Sequence, residues 1–143
     1  DWAGAAAAYA DELRVLDAEV ADLLSSIPDE RRKLVTNHEA VGYFADRYGF
    51  EVVGTVIPGG ATLADPSSAE LSELIELIIA EGIDVVFAEN VEPSALAEAV
   101  AGEVGDVTVV ELFTGSLGGP DSGAESYVDF IRTNAERIAS ALS

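Results

Sequence analysis

The sequence predicts an α/β domain, a three-layer sandwich on a four-stranded parallel sheet, preceded by one long amphipathic helix. Four short apolar segments alternate with helical segments along the 143 residues, and such alternation favours parallel strands joined by right-handed crossovers. The apolar segments are nearly continuous rather than alternating with polar residues, as expected when helices cover both faces of a sheet. The length is that of one ordinary domain.

The opening segment predicts the long helix. Its larger apolar residues recur at spacings of three and four, which places them on one stripe of a helix that ends before Pro28. These residues are Leu13, Leu16, Val20, Leu23 and Ile27. We therefore expect residues 1–27 to form a linker-type helix and residues 28–143 to form the α/β domain.

The first half of that domain contains two predicted strands and two helices. "KLVT" (33–36) is the first strand, followed by a helix from Glu39 to about Tyr48 that Gly49 closes. "EVVGTVI" (51–57) is the second strand. A loop, "PGGATLADPSS" (58–68), supplies Ser67 or Ser68 as the N-cap of a helix that Gly82 stops.

The second half repeats the pattern. "IDVVFAE" (83–89) and "VTVVELF" (107–113) are the third and fourth strands, and "EPSALAEAVAGEV" (92–104) is the helix between them. A loop rich in Gly and Ser (114–126) leads to a last helix. The aromatic residues of the helical segments are most simply core residues; they are Tyr43, Phe44, Tyr127 and Phe130.

The charge balance narrows the kinds of ligand. Against 27 acidic residues stand 7 Lys and Arg, giving a formal net charge of −20. That balance disfavours nucleic acid and anionic membranes and raises the local concentration of cations. A solvated acidic surface is the simpler alternative. The chain has no cysteine, which excludes a disulfide framework and a thiolate zinc site.

Candidate ligands follow the predicted strands. The carboxyl ends of parallel strands meet at one edge of the sheet, where such domains bind ligands. His38 follows the first strand, Glu89 the third, and Asp121 lies in the loop after the fourth. An imidazole with carboxylates suits a zinc- or manganese-type cation. At the predicted start of a helix, the positive end of the dipole favours an uncharged His38. A lone histidine is, however, more often a structural residue.

Two longer runs resemble a known family. "NHEAVGYFADRYG" (37–49) and the "FTGSLG…SY…N" ending are similar to the C-terminal half of the zinc- and manganese-binding solute-binding proteins of ABC importers. The resemblance covers nearly the whole chain. It implies two α/β lobes joined by a long helix, a metal held between them, an extracytoplasmic location (periplasmic or lipid-anchored), and delivery of the metal to an ABC permease. The N-terminal lobe is absent from this chain.

The resemblance also assigns ligands. His38 matches the family's first ligand from this lobe, whereas the second, an Asp after "FT", is replaced by Gly115. Asp121 is the preferred substitute and Glu89 the next. His38 favours Zn²⁺ over Mn²⁺, and the isolated lobe is expected to bind metal weakly or not at all.

Two alternatives remain open. Gly115 favours an adhesin-like or permease-docking lobe with a degenerate metal site. A small-molecule enzyme domain would use Glu89 or Asp121 as acid or base, although the chain lacks a phosphate-binding glycine motif. We also expect Leu13, Leu16 and Val20 to be exposed in this chain and to drive self-association.

Overall fold

The computed structural model of the chain describes residues 1–59 and 65–143; part of the loop predicted over 58–68 therefore lies outside the described residues. The elements are α1 (Trp2–Leu24), a short 3₁₀ turn (Asp29–Arg31), β1 (Lys33–Thr36), α2 (Gly42–Tyr48), β2 (Glu51–Thr55), α3 (Ser68–Glu81), β3 (Val85–Glu89), α4 (Ala95–Val104), β4 (Thr108–Leu112) and α5 (Tyr127–Leu142). The predicted succession of elements is confirmed.

The four strands form one parallel sheet in the order β2-β1-β3-β4. The chain leaves β1 toward β2 on one side and passes from β3 to β4 on the other, so β1 and β3 are the central neighbours at the point where strand order reverses. All five residues of β3 are buried, as expected of a central strand covered on both faces. The predicted three-layer α/β class is confirmed.

The helices cover the sheet in two groups, each with its own apolar core. One core joins α1, α2 and α5 to one face, and the other joins α3 and α4 to the opposite face. Phe87 of β3 belongs to the first core and Val86 to the second. This alternation follows from the opposite directions of successive side chains on a strand.

We predicted that Leu13, Leu16 and Val20 of α1 are exposed, and this prediction is wrong for Leu16 and Val20. Leu16 and Val20 are buried, at 4% and 0% exposure, and Leu13 is partly buried against the same core. They pack on α5, which supplies Ala135, Ile138 and Leu142 to that core. A helix of the same chain thus covers the stripe, and this stripe gives no reason for self-association.

Arg32 ties together the segment that follows α1. Its guanidinium donates hydrogen bonds to three backbone carbonyls: Leu24 O at 2.6 Å, Ile27 O at 3.3 Å and Tyr48 O at 2.8 Å. The helix ends at Leu24, three residues before the predicted Ile27. Arg32 thus donates to the last carbonyl of α1, which also accepts from Ile27 N–H at 3.2 Å, and to the last carbonyl of α2.

The predicted caps of α2 and α3 are confirmed, whereas α2 and α4 begin at Gly42 and Ala95, three residues after the predicted Glu39 and Glu92. Ser67 is the N-cap of α3 and forms a capping box with Glu70. Gly49 and Gly82 close α2 and α3 in the left-handed conformation, with φ of 73° and 64°. These cap residues were recognisable in the sequence because a serine hydroxyl can accept a bond from the first turn of a helix, and because glycine readily adopts the left-handed conformation.

Two of the predicted core aromatics are exposed. Tyr43 is 97% and Tyr127 51% exposed, whereas Phe44 and Phe130 are half-buried. Both tyrosines occupy the first turn of their helix. α2 has only seven residues and buries Ala45 as its single fully buried residue, so a neighbouring position on this short helix has no partner to pack against.

Two side chains of α5 form hydrogen bonds with the backbone at the C-terminal end of β4, an edge strand of the sheet. Asn134 is buried and forms two hydrogen bonds with the Phe113 backbone: Phe113 N–H donates to Oδ1 at 2.9 Å, and Nδ2 donates to Phe113 O at 2.6 Å. Arg137 donates to Glu111 O at 2.7 Å. These bonds satisfy backbone groups that an edge strand otherwise leaves unpaired.

The few basic side chains are all used in ion pairs. Each of the seven Lys and Arg residues lies within 4.0 Å of a carboxylate: Arg14 with Asp11, Arg31 with Asp84, Arg32 with Asp29, Lys33 with Glu81, Arg47 with Asp17, Arg132 with Glu19 and Asp129, and Arg137 with Glu111. Most carboxylates therefore have no cationic side chain beside them.

Within residues 1–59 and 65–143, none of the helices combines the length and apolarity that crossing a bilayer requires.

Candidate metal centre

The chain continues from β1 beside β3 for one residue past the strand. Thr36 is paired with Phe87, and Asn37 N–H donates to Phe87 O at 2.9 Å. His38 therefore leaves the sheet next to Glu89, the last residue of β3. The reversal of strand order between β1 and β3 brings these two predicted site residues to the same edge of the sheet.

His38 and Glu89 form a close pair. The Nδ1 atom of His38 lies 2.7 Å from Oε2 of Glu89, and their side chains are 13% and 5% exposed. A buried carboxylate at this distance accepts a hydrogen bond from Nδ1–H, and in the tautomer that carries its proton on Nδ1, Nε2 has the free lone pair. Nε2 is itself buried and has no hydrogen-bond partner among the described residues.

The positive end of a helix dipole does not act on His38 as predicted, because the helix begins at Gly42 and not at Glu39. Thr36 Oγ1 donates to the carbonyl of His38 at 2.6 Å, and Ala40 N–H donates to the same carbonyl at 3.0 Å. That carbonyl is thereby engaged in a tight turn instead of a helical bond. The partner that orients the ring is Glu89 and not a helix terminus.

A cleft of about 380 Å³ opens at this edge of the sheet. His38 and Glu89 line it together with Glu39 and Glu92, and the loop after β4 forms its wall. Glu92 is a cleft residue that we did not predict from the sequence; its position three residues past a strand end was the available signal. Among the described residues, no three His, Asp or Glu side chains are close enough together to hold a metal ion.

Asp121 lies apart from this pair. It is exposed, has a positive φ of 64°, and is not among the residues that line the cleft. The structure thus brings together His38 and Glu89 of the three predicted ligands and leaves Asp121 on the loop outside. Its role as a ligand stays a prediction.

Gly115 lines the cleft at the position where the family resemblance implies a carboxylate. Val91 packs against it: a β-carbon added at Gly115 would lie 3.0 Å from Cγ2 and 3.3 Å from Cγ1 of Val91. A side chain at position 115 therefore requires Val91 to shift. In this chain the absence of a side chain at Gly115 leaves the space that Val91 occupies.

A second cavity, of about 410 Å³, lies between α1, α2 and α5. Aromatic rings line much of it, and its charged lining residues, Asp17 and Arg47, pair with each other. Tyr48 donates to the same Asp17 at 2.9 Å, and the pKa of Asp17 is lowered by these hydrogen bonds, that from Arg47 foremost. Because the one carboxylate in its described lining is already paired, this cavity offers no free imidazole or carboxylate to a metal.

The fold and the His38–Glu89 pair define a class of protein. It is a parallel α/β domain in which a carboxylate orients an imidazole at the edge of the sheet, where the strand order reverses. A family model described as "Zinc-uptake complex component A periplasmic" (ZnuA) matches residues 2–141. The chain belongs to this family of periplasmic metal-binding domains.

Individual relatives are similar along nearly the whole chain. The zinc-binding protein TroA of Treponema pallidum (strain Nichols) is 36% identical over 141 residues, which is 95% of this chain and 45% of the relative. The manganese-binding lipoprotein MntA of Halalkalibacterium halodurans is 28% identical over 138 residues, covering 96% of this chain and 45% of the relative. The chain spans about half the length of these curated relatives.

The fold agrees with a solved structure. The periplasmic zinc-binding protein TroA from Treponema pallidum superposes with a TM-score of 0.84 at 35% sequence identity, over 95% of this chain and 50% of that chain. The resemblance inferred from the two sequence runs is thereby confirmed at the level of family and fold.

Proposed function

We propose that this chain is the C-terminal lobe of an extracytoplasmic solute-binding protein of an ABC importer, with residues 1–27 as the helix that joins it to an N-terminal lobe. Its cargo is a divalent transition metal, zinc in preference to manganese, which the protein passes to the permease. No catalytic step is part of this function. The names of the relatives, which include zinc-binding, manganese-binding and lipoprotein members, support both the cargo and the location.

One observation carries the proposal: His38 is held through Nδ1 by Glu89, while Nε2 is buried and unpartnered among the described residues. A histidine that binds a metal through one nitrogen commonly donates its other N–H to a carboxylate, which fixes the tautomer and makes the ligand more basic. The donor set fits the cargo, because neutral imidazole suits zinc. Glu89 then orients His38 and is not itself a ligand.

The remaining ligands come from outside this pair. Structural and transport sites for zinc usually hold four ligands, and the described residues bring no third donor to His38 and Glu89. We infer that the N-terminal lobe supplies most of the set and that Asp121 or Glu92 completes it from this lobe. The isolated chain then binds zinc weakly.

Zinc titration of the full-length protein by isothermal calorimetry tests this function. We expect His38→Ala to weaken zinc affinity by about 100-fold or more, since a ligand is lost. Asp106→Asn is the matched control: Asp106 is exposed and precedes β4 at the opposite edge of the sheet, so the variant removes a carboxylate without touching the cleft. Unchanged affinity in His38→Ala would refute the proposal.

A second function has its own support. Val91 fills the space beside Gly115 and Asp121 lies outside the cleft, which favours an adhesin-like or permease-docking lobe whose metal site is degenerate. Metal analysis of the full-length protein separates the two functions. Bound zinc at about one equivalent supports transport, whereas a protein that neither holds nor takes up zinc supports the degenerate site.

A further inference from the structure

We infer that Asn90 is a positioning residue of the cleft: it fastens the loop after β4 to the turn after β3, so that the wall facing His38 keeps one geometry. The inference rests on the proposed function for its effect on metal binding. The contacts themselves are features of the fold and involve residues that neither the sequence patterns nor the proposed ligand set requires.

Asn90 immediately follows Glu89 and contacts the neighbouring loop with both ends of its side chain. Its Oδ1 accepts a hydrogen bond from Thr114 N–H at 3.0 Å. Its Nδ2 donates to Ser116, to Oγ at 3.3 Å and to the backbone carbonyl at 3.4 Å. The shortest of these bonds is the one to Thr114, so we assign the fastening chiefly to Oδ1.

Other contacts secure the same short segment. Asn90 N–H donates to Leu112 O at 3.0 Å, which extends the β3–β4 pairing to the point where the loop begins. Asn134 holds Phe113 from the opposite side through both backbone groups. Val91, the residue after Asn90, packs on Gly115. Phe113, Thr114 and Gly115 are thus held by α5 on one side and by the residues after β3 on the other.

The fastened segment forms part of the metal cleft. Thr114 and Gly115 line the cleft with His38 and Glu89. Because Glu89 and Asn90 are adjacent in the chain, the end of β3 orients the imidazole and the next residue holds the loop. A cleft with a fixed wall loses less conformational freedom when it closes on a metal, and outer-shell contacts of this kind commonly affect metal affinity about 10–100-fold.

Substitution of Asn90 in the full-length protein tests the inference by zinc calorimetry. We expect Asn90→Ala to weaken zinc affinity about tenfold while circular dichroism stays that of the folded protein. Asn90→Asp is the rescue variant: its carboxylate still accepts from Thr114 N–H and can accept from Ser116 Oγ–H, but it no longer donates to the Ser116 carbonyl. We expect it to recover most of the affinity that Asn90→Ala loses.

Ser94→Ala is the matched control. Ser94 lies four residues further along the chain, at the N-cap position of α4, and donates to Glu98 at 2.6 Å instead of to the loop after β4. We expect the zinc affinity of this variant to be unchanged. Asn90→Ala with unchanged affinity would overturn the inference. Asn90→Asp with affinity as weak as Asn90→Ala would also overturn it, because that variant keeps the bond to Thr114.

Amide hydrogen exchange separates this inference from the proposed function. If the unsubstituted protein binds no zinc, the transport function fails, and the exchange rate of the Thr114 amide still decides the role of Asn90. Faster exchange at Thr114 in Asn90→Ala, with exchange in β3 unchanged, supports the fastening. Equal exchange at Thr114 in both proteins contradicts it.

Discussion

The His38 imidazole and the Glu89 carboxylate meet at 2.7 Å across the two central strands of the sheet, although 51 residues separate them in the chain. Their meeting depends on β1 and β3 being neighbours. The pair gives the imidazole a fixed orientation and leaves its second nitrogen available.

Replacing Glu89 by Gln is expected to weaken zinc binding by the full-length protein about tenfold, because the neutral amide is a poorer acceptor for Nδ1–H than the carboxylate. Glu39→Gln removes the same charge from the same cleft, at a residue that forms no hydrogen bond with the imidazole, and serves as the control. Calorimetry at constant pH measures both. A loss in Glu89→Gln as large as that in His38→Ala would contradict an orienting role and identify Glu89 as a ligand.

Replacing Arg32 by Ala is expected to lower the free energy of unfolding by about 3 kcal/mol, since three hydrogen bonds to backbone carbonyls are lost and each contributes about 1 kcal/mol. Lysine at this position keeps the charge but lacks the planar fork, so Arg32→Lys is expected to recover less than half of the loss. Urea denaturation followed by circular dichroism measures the change. The control, Arg14→Ala, removes an exposed ion pair and is expected to change stability by less than about 1 kcal/mol.

The raised pKa of Tyr48 predicts that the folded protein loses stability in alkali. Burial, followed by the hydrogen bond to Asp17, raises the pKa of Tyr48 to about 12 from its ordinary value of 10.0. Because the folded-state pKa is the higher one, the neutral hydroxyl contributes its full stabilisation below pH 10.0, and that contribution is lost as the pH rises from 10.0 to about 12.

Comparison of variants isolates this effect from the other groups that titrate in alkali. Tyr48→Phe is expected to cost about 1 kcal/mol at neutral pH and to lose less stability than the unsubstituted protein when the pH is raised. Tyr43→Phe, at an exposed position, is the control and is expected to behave as the unsubstituted protein. Urea denaturation at neutral and alkaline pH provides the measurement. Parallel losses in Tyr48→Phe and the unsubstituted protein would contradict the assignment.

Salt is expected to stabilise the fold. The formal net charge is −20, and all seven basic side chains are already paired with carboxylates, so the remaining carboxylates repel one another. Screening by salt reduces that repulsion more than it weakens the exposed ion pairs. Thermal unfolding from about 0.05 M to about 1 M KCl is expected to raise Tm by several degrees. A Tm that falls over this range would indicate that the ion pairs outweigh the repulsion.

The sequence was sufficient to predict the elements of this fold because each left a local pattern. Nearly continuous apolar runs predicted the four strands, and Ser67, Gly49 and Gly82 predicted helix ends from the geometry that a cap requires. The start of α2 was predicted three residues too early, since the bond from Thr36 Oγ1 to the His38 carbonyl depends on the conformation of a turn and leaves no periodic pattern.

Contacts between distant residues were not predictable in the same way. An apolar stripe on α1 indicates that something covers it, but not that the cover is α5 of the same chain, which buries Leu16 and Val20. The strand-end rule predicted that His38 and Glu89 share an edge. Their direct pairing, and the separation of Asp121 from them, depend on strand order and on the path of a long loop.

One edge strand of the sheet, β4, bears on how unpartnered copies of the domain behave. Asn134 binds both backbone groups of Phe113, and Arg137 binds the backbone carbonyl of Glu111, at the C-terminal end of β4. A second chain that docked on this end of β4 as an added strand would first have to displace these side chains. The C-terminal end of this edge is thereby protected from strand addition, which is one route by which unpartnered domains form fibrous aggregates.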